Sequence, residues 1–213
     1  MRVFIDWDDT IFNTRDFVTD FSTVFTDNGV PFDMYKKTRQ NAYRVLGDDT
    51  AIYDMEMHLS SIASQKIVFD TDAVRKSAAV FLQDTSRYVF PDIRLFFERA
   101  REKNIRVYVL SFGQSAFQNE KINGTGLREY FDEVFIVQEK KYVPIVLVME
   151  RSGDEPVWFF DDRAEYIDDV KKNIPAVKTV QVMRSEGRYQ DVQSPSADFM
   201  IQDFDAIVKV LSA

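Results

Sequence analysis

Three acidic residues near the start of the chain, Asp6, Asp8 and Asp9, lie within four positions and precede the hydroxyl of Thr10. They directly follow an apolar run at residues 3–5, which is typical of a buried strand. Carboxylates at the carboxyl end of such a strand lie at the edge of a sheet, where open α/β folds bind ligands. Crowded carboxylates repel one another unless a cation lies among them, and hard divalent ions prefer oxygen ligands. This stretch therefore predicts a magnesium site beside a nucleophilic carboxylate.

The composition limits the classes of protein to which the chain can belong. Its 213 residues are 45% hydrophobic and include 19 phenylalanines, which is enough for one sizeable packed domain or a core with a smaller insertion. The formal net charge of −8 argues against nucleic acid as a partner, because nucleic-acid binding needs a basic surface. The chain has no cysteine, so disulfides, thiolate metal sites and a cysteine nucleophile are excluded. No apolar stretch has the length of a membrane span or the pattern of a signal peptide, so we expect a cytoplasmic protein without a membrane partner.

The elements that must position these residues alternate between strands and helices. Such alternation implies right-handed crossovers and a parallel, Rossmann-like sheet flanked by helices, which is an α/β fold. The predicted strands are residues 2–6, 105–110, 133–137, 157–160, 178–183 and 199–201. The predicted helices of this part are residues 92–103, 143–151, 164–173 and 203–211.

Residues 14–87 have a different character, because helical spacing runs through them without a convincing strand. We expect an inserted all-α helical cap over 14–87, and an α/β core formed by 1–13 and 88–213. Breaks between the cap helices are predicted at residues 28–31, at 47–49 and near 70–72. The predicted cap helices are residues 16–26, 32–46, 50–64 and 72–83.

Polar side chains recur where the predicted core strands end. Asp6 and Asp8 follow the first strand, and Ser111 ends the second. Two lysines at 140–141 follow the third strand, and the acidic pair at 161–162 ends the fourth. In a parallel sheet these groups share one edge, and together they supply a nucleophile, a proton carrier, a metal site and donors for phosphoryl oxygens. The sequence therefore predicts phosphoryl-transfer chemistry.

These motifs resemble those of the haloacid dehalogenase-like hydrolase superfamily. The segment Asp6-Trp7-Asp8-Asp9-Thr10 matches its DxDx(T/V) motif, and Ser111 in VLSFG matches its Ser or Thr at the end of the next core strand. Lys140 or Lys141 matches the lysine of its third motif, and FFDDR at 159–163 matches the acidic pair of its fourth. The resemblance covers about residues 1–13 and 88–211, with the motifs in the same order.

The resemblance implies a role for each acid of the first motif. Asp6 corresponds to the nucleophile, which attacks phosphorus to form an aspartyl-phosphate. Asp8 corresponds to the general acid and base, which protonates the leaving alcohol and then activates water. It further implies a Mg²⁺ cofactor held by Asp6, Asp8 and Asp162, with Asp8 contributing its backbone carbonyl. Thr10 corresponds to a residue that orders the loop.

The resemblance also implies how the phosphoryl oxygens are bound. Ser111 and one lysine correspond to the phosphate-binding residues, and the lysine offsets charge in the transition state. Both Lys140 and Lys141 are candidates, and we favour Lys141 because it directly precedes the next predicted helix. Asp161 and Glu165 are candidates for positions that support the metal ligands.

Several functions remain open at this stage. The dehalogenase branch lacks the second aspartate, so Asp8 favours a phosphatase that hydrolyses phosphate monoesters. A helical cap favours a small phosphorylated metabolite as the substrate, because a lid excludes protein-sized substrates. The alternatives are a phosphomutase, a receiver-like domain that accepts phosphate on aspartate, and a catalytically silent phosphate-binding descendant. The sequence does not rank the possible substrates, and it leaves the oligomeric state open.

Overall fold

A computed structural model describes residues 1–46, 50–153, 155–189 and 191–210. Helices cover both faces of a parallel sheet, which confirms the α/β fold class. The strands are β1 (Arg2–Ile5), β2 (Tyr43–Leu46), β3 (Thr50–Tyr53), β4 (Arg106–Phe112), β5 (Glu133–Val137), β6 (Val157–Asp161), β7 (Lys178–Val182) and β8 (Phe199–Ile201). The α-helices are α1 (Thr14–Phe21), α2 (Thr23–Thr26), α3 (Phe32–Arg39), α4 (Met55–Ser64), α5 (Thr71–Leu82), α6 (Pro91–Glu102), α7 (Ser115–Asn123), α8 (Tyr142–Ser152), α9 (Ala164–Asn173) and α10 (Asp205–Val210).

The main sheet has six strands in the order β5-β4-β1-β6-β7-β8, and all of its pairings are parallel. Strand β1 is fully buried in the middle of the sheet, where Ile5 pairs with Val109 of β4 on one side and Phe160 of β6 on the other. The order of the strands reverses direction at β1, and such a switch point is where open α/β sheets bind ligands. The carboxyl ends of β1, β4 and β6 therefore meet at one place.

The predicted core strands all exist, and β5 and β8 have the predicted bounds. Helix α9 also spans the predicted residues, and α6, α8 and α10 differ from their predicted bounds by one or two residues at the ends that the structure describes. Such shifts are usual at element ends, where hydrogen bonding frays. The predicted end of the last helix at residue 211 lies outside the described residues.

The segment between β1 and α6 departs from the expected all-helical composition. Helix α3 ends at Arg39 and α4 begins at Met55, and an antiparallel ribbon of β2 and β3 lies between them. The predicted helices 32–46 and 50–64 were therefore too long, because apolar residues at helical spacing continue into the two strands. Tyr43 lies directly opposite Tyr53 in this ribbon, and aromatic residues favour extended backbone. The break that the sequence predicts at residues 47–49 lies outside the described residues.

This segment packs against the core through aromatic side chains. Phe117 of α7 lies with its ring centre 5.6 Å from that of Phe21 and 5.6 Å from that of Tyr53. The ring centres of Phe17 of α1 and Tyr88 are 5.4 Å apart. One apolar cluster thus joins this segment to the α/β core. The boundary between cap and core at residue 87 stays a prediction. Among the described helices, none combines the length and the apolar character that crossing a membrane requires.

Candidate active site

The loop after β1 is a tight turn that presents Asp6 and Asp8 at the sheet edge. The Asp6 N–H donates to the Phe160 carbonyl at 2.8 Å, which extends the β1–β6 pairing by one residue. The Trp7 carbonyl accepts from two N–H groups at 3.0 Å, and Asp9 has a φ of 60° in the left-handed region. A residue other than glycine is strained in that conformation, so the surrounding contacts must hold Asp9 in place.

Lys141 lies between two carboxylates of neighbouring strands. Its Nζ contacts Asp6 Oδ1 and lies 2.7 Å from Asp161 Oδ2, and all three side chains are buried. The residue directly precedes α8, and its ammonium lies 4.5 Å from the ring centre of Tyr166. Burial opposes the charge on Lys141, but Asp161 and Asp6 outweigh it and raise the pKa of the lysine above its ordinary value. Lys141 is therefore a fixed positive charge beside Asp6.

Three carboxylates form a cluster with the arrangement of a cation site. Asp6, Asp161 and Asp162 each offer one oxygen, and these oxygens lie within 4.8 Å of one another. Asp162 Oδ2 is buried without a hydrogen-bond partner among the described residues, which is costly unless a positive group contacts it. Three hard oxygen donors suit Mg²⁺, so the residues present fit the ion.

The cluster contains two of the expected ligands, Asp6 and Asp162. The Asp8 carboxylate is not part of it, and Asp161, which the resemblance placed in a supporting position, supplies the third carboxylate. The reason is that side chains of α7 hold the Asp8 carboxylate through hydrogen bonds of their own. Any contribution of the Asp8 backbone carbonyl stays a prediction.

Asp8 accepts three hydrogen bonds from residues that sequence analysis did not select. Lys121 Nζ lies 2.6 Å and Thr14 Oγ1 2.5 Å from Asp8 Oδ1, and Gln118 Nε2 lies 2.8 Å from Asp8 Oδ2. Desolvation works against the charged form, but Lys121 and then Arg188 outweigh it and lower the pKa of Asp8 to about 2. Asp8 is thus ionised at neutral pH.

The pKa values of Asp6 and Asp8 stand in the opposite order to that expected from their roles. A nucleophile should be the more acidic of the two, and a general acid should hold its proton more tightly. Burial, opposed by Lys141 and assisted by Asp161, raises the pKa of Asp6 to about 7. The proton would therefore sit on Asp6 before it sits on Asp8. A divalent cation beside Asp6 would lower its pKa and favour the ionised nucleophile, because a bound cation is the largest local charge.

Ser111 is completely buried at the end of β4 and lies beneath Gln118. The Gln118 Nε2 donates to Ser111 Oγ at 2.7 Å, so one amide contacts both Ser111 and Asp8. Gly113 permits this contact, since a Cβ at that residue would lie 2.6 Å from Gln118 Cγ. The Ser111 hydroxyl, which was expected to bind phosphate, therefore lies next to Asp8, and the Gln118 amide lies between the two side chains.

The structure places the remaining predicted residues as follows. Lys140 has an exposed side chain, whereas Lys141 reaches Asp6. Thr10 is buried, and its backbone carbonyl accepts from Arg184 at 3.1 Å and 3.2 Å, which holds the loop. The Glu165 carboxylate is largely exposed and pairs with Arg163, away from the acidic cluster.

Sequence analysis missed four residues that contact the motif acids: Thr14, Gln118, Lys121 and Arg188. One signal could have revealed two of them, because Gln118 and Lys121 are one turn apart on the helix that follows Ser111 and so share a face. Arg188 reaches Asp9 with Nε 2.5 Å from Oδ2. It lies in a loop after β7, where no periodic pattern marks it.

A cavity of about 480 Å³ lies above these acids. Asp6, Asp8, Lys141 and Asp162 line its core end. Aromatic side chains and residues from the segment between β1 and α6 line most of the rest. They are Thr14, Phe17, Val18, Phe21, Tyr35, Arg39, Tyr43, Ile52, Tyr53, Phe112, Phe117, Tyr166 and Tyr189. This volume is in the range of small-molecule sites.

Comparison with solved structures agrees with this architecture. A haloacid dehalogenase-like hydrolase from Burkholderia xenovorans is 18% identical, with a TM-score of 0.73 over 99% of this chain and 96% of its own. The HAD-hydrolase YfnB from Bacillus subtilis, solved bound to magnesium, is 15% identical with a TM-score of 0.66 over 100% and 98% of the two chains. An L-2-haloacid dehalogenase from Xanthobacter autotrophicus is 15% identical with a TM-score of 0.65 over 100% and 98%. At these identities the likeness shows the fold.

A search of curated proteins found no match. A family model described as haloacid dehalogenase-like hydrolase matches residues 1–167, which include all four motifs. That match covers most of the chain, and the chain has the sheet, the strand-end residues and the acidic cluster described above. This chain belongs to the haloacid dehalogenase-like hydrolase family.

Proposed function

We propose that this hydrolase cleaves phosphate monoesters of small metabolites through an aspartyl-phosphate on Asp6, with Mg²⁺ as its cofactor. One observation carries the proposal: Asp6 lies at the base of a cavity between the Lys141 ammonium and the carboxylates of Asp161 and Asp162. The Asp6 carboxylate and a phosphoryl group are both negative and repel each other. The Lys141 ammonium and a cation bound at the acidic cluster would offset this repulsion, so Asp6 is suited to attack phosphorus.

The proposed cycle has two displacements at phosphorus. In the first, an Asp6 oxygen bonds to phosphorus, the bond to the ester oxygen breaks, and that oxygen takes the proton of the protonated form of Asp8, which leaves Asp8 ionised. In the second, Asp8 takes a proton from water as the water oxygen bonds to phosphorus and the bond to Asp6 breaks. Lys141 neutralises phosphoryl charge in both steps. When bound, Mg²⁺ polarises the phosphoryl oxygens, and Asp6, Asp161 and Asp162 would hold it.

Two residues of α7 support the proposed cycle, one through Asp8 and one through the binding of the phosphoryl group. Lys121 keeps Asp8 ionised, which suits the second step, where Asp8 acts as a base. Gln118 can exchange its hydrogen bond to Ser111 for one to a phosphoryl oxygen, because its amide carries two N–H donors.

A panel of phosphate monoesters, assayed for phosphate release with Mg²⁺ and with chelator, tests the proposal. We expect metal-dependent release that Asp6→Asn abolishes and that the matched variant Asp33→Asn keeps, because the Asp33 side chain is 95% exposed and does not line the cavity. Beryllium fluoride should bind at Asp6 in the native protein and not in Asp6→Asn.

Other outcomes distinguish the alternatives. Chelator-resistant halide release from a 2-haloacid, without phosphate release, would contradict the phosphatase proposal in favour of a dehalogenase. Transfer of phosphate to a second hydroxyl instead of water would identify a phosphomutase, and a long-lived phospho-protein would identify a receiver-like function. Folded protein that binds phosphate without turnover would identify a silent descendant. A cytoplasmic location stays a prediction.

A further inference from the structure

The cavity has a second end that the hydrolytic chemistry leaves unused. It is built by the segment between β1 and α6, and its lining residues there are Tyr35, Arg39, Tyr43, Ile52 and Tyr53. We call these five residues the distal end. Three of them are tyrosines and one is a cation, so its chemistry differs from that of the acidic cluster around Asp6.

Arg39 is the cavity cation that lacks a carboxylate partner within the described part of the chain. It lies in the last turn of α3, is half-buried, and its guanidinium is 5.9 Å from the ring centre of Tyr43. The other four cations of the lining each contact an acid, in the pairs Lys121–Asp8, Lys141–Asp161, Arg163–Glu165 and Arg188–Asp9. A guanidinium beside an aromatic ring at a cavity wall can donate hydrogen bonds to an anion of a ligand.

The tyrosines of the distal end are held in place by hydrogen bonds and ring contacts. The Tyr53 hydroxyl and His58 Nδ1 are 3.1 Å apart, and His58 Nε2 lies 3.1 Å from Thr38 Oγ1 and 3.2 Å from the Tyr35 carbonyl. Tyr43 packs edge-on against Tyr53 with ring centres 5.9 Å apart. These contacts order the wall in the absence of a ligand, which lowers the entropy cost of binding.

The charge states in this region leave Arg39 as the group that can attract an anion. Burial lowers the pKa of His58 to about 4, so the imidazole is neutral at physiological pH. Burial also raises the pKa of Tyr35 and of Tyr53, so both phenols keep their protons. Aromatic side chains of the core, among them Phe117, continue the wall from this end toward Asp8.

We propose that the substrate is the phosphate ester of an aromatic alcohol that carries a carboxylate at the far side of its ring. The phosphoryl group lies at Asp6, the ring lies against the aromatic wall, and the carboxylate pairs with Arg39. The inference rests on the proposed function, because it assigns the Asp6 end to the phosphoryl group. The cavity of about 480 Å³ has room for such a molecule, whereas a phosphate with a short aliphatic chain leaves the distal end empty.

The test compares 4-carboxyphenyl phosphate with phenyl phosphate in the native protein, in Arg39→Gln and in Lys37→Gln. Lys37 is the matched control, because it is an exposed cation on the same helix and does not line the cavity. We expect the native protein to prefer the carboxylated ester through a lower KM. Arg39→Gln should raise that KM by about tenfold or more with kcat nearly unchanged, as for a lost charged hydrogen bond. The KM for phenyl phosphate should change much less, so the ratio of the two KM values is the quantity that the Arg39→Gln variant should alter.

Binding measurements separate a failure of this inference from a failure of the proposed function. Calorimetry compares 4-(phosphonomethyl)benzoate with benzylphosphonate in the presence of Mg²⁺, and neither ligand can be hydrolysed. If both esters are hydrolysed without a preference that Arg39→Gln removes, the inference is wrong and the phosphatase proposal stands. If neither ester is hydrolysed but the carboxylated phosphonate binds more tightly in an Arg39-dependent way, the distal site stands and the proposed reaction is wrong. Equal binding of both phosphonates overturns the inference.

Discussion

Lys121 and Asp8, which are 113 residues apart in the chain, form an ion pair with Nζ 2.6 Å from Oδ1. The lysine side chain is 4% exposed and the aspartate 21%, so the pair is largely withdrawn from water. The pair affects catalysis because a general acid must carry a proton, whereas the Lys121 ammonium favours the ionised form of Asp8. The pair therefore sets the balance between the acid and base roles that we propose for Asp8.

Lys121→Met should change how the reaction rate depends on the leaving group. In the native protein the protonated form of Asp8 is scarce, since its pKa is lowered to about 2, so esters with poor leaving groups should react slowly. Removal of the cation raises the pKa of Asp8 and makes the proton available, so the dependence of kcat/KM on leaving-group pKa should become shallower. Aryl and alkyl phosphates of graded leaving-group pKa measure this slope. Lys103→Met, at an exposed lysine after α6, is the control, and identical slopes in all three proteins would contradict the prediction.

Asp162→Asn should weaken Mg²⁺ binding by about tenfold or more, because it removes the charge from an oxygen of the acidic cluster. Calorimetric titration with MgCl₂ measures the affinity without any substrate. Asp33→Asn removes the same charge from an exposed site and should leave the affinity unchanged. Equal affinities for Asp162→Asn and the native protein would place the ion elsewhere.

His58 should make the protein less stable as the pH falls. Its pKa is about 4 in the folded chain and 6.5 as a free side chain, because burial disfavours the charged imidazole. Between these values the unfolded state binds the extra proton, so the stabilising contribution is complete above 6.5 and is lost as the pH falls toward 4. From about pH 7.5 to about pH 5.5 we expect a loss of about 1 kcal/mol that is absent in His58→Gln. Urea unfolding of both proteins at the two pH values checks the difference, and parallel losses would refute it.

Arg184→Met should destabilise the protein by about 3 kcal/mol, because it leaves a largely buried carboxylate without its partner. Arg184 Nη1 lies 2.9 Å and 2.8 Å from the two Asp92 oxygens, and the guanidinium also donates to the Thr10 carbonyl. Arg94→Met, at an exposed arginine on α6, should change the free energy of unfolding by less than about 0.5 kcal/mol. Urea unfolding measures both variants. Similar unfolding midpoints for Arg184→Met and Arg94→Met would show that the Arg184–Asp92 pair does not stabilise the protein as predicted.

The core could be predicted because each of its strands carries a local signal. Short apolar runs such as those ending at Asp6, Ser111 and Asp161 identify buried strands whatever lies next to them. The ribbon of β2 and β3 was not predicted, because a four-residue strand that pairs only with its neighbour gives a weak pattern. Its cross-strand contact between Tyr43 and Tyr53 exists only after the chain folds back.

The candidate site divides in the same way. The residue types and their positions at strand ends determined that Asp6, Asp8, Ser111, Lys141 and Asp162 would share one edge of a parallel sheet, because strand direction is a consequence of alternation and crossover handedness. Tertiary structure alone decided which oxygens face one another. It turned Asp8 toward Lys121 and Gln118, brought Asp161 into the acidic cluster, and placed Arg39 beside the ring of Tyr43. Those contacts join residues far apart in the chain, and no local pattern of charge or hydrophobicity encodes them.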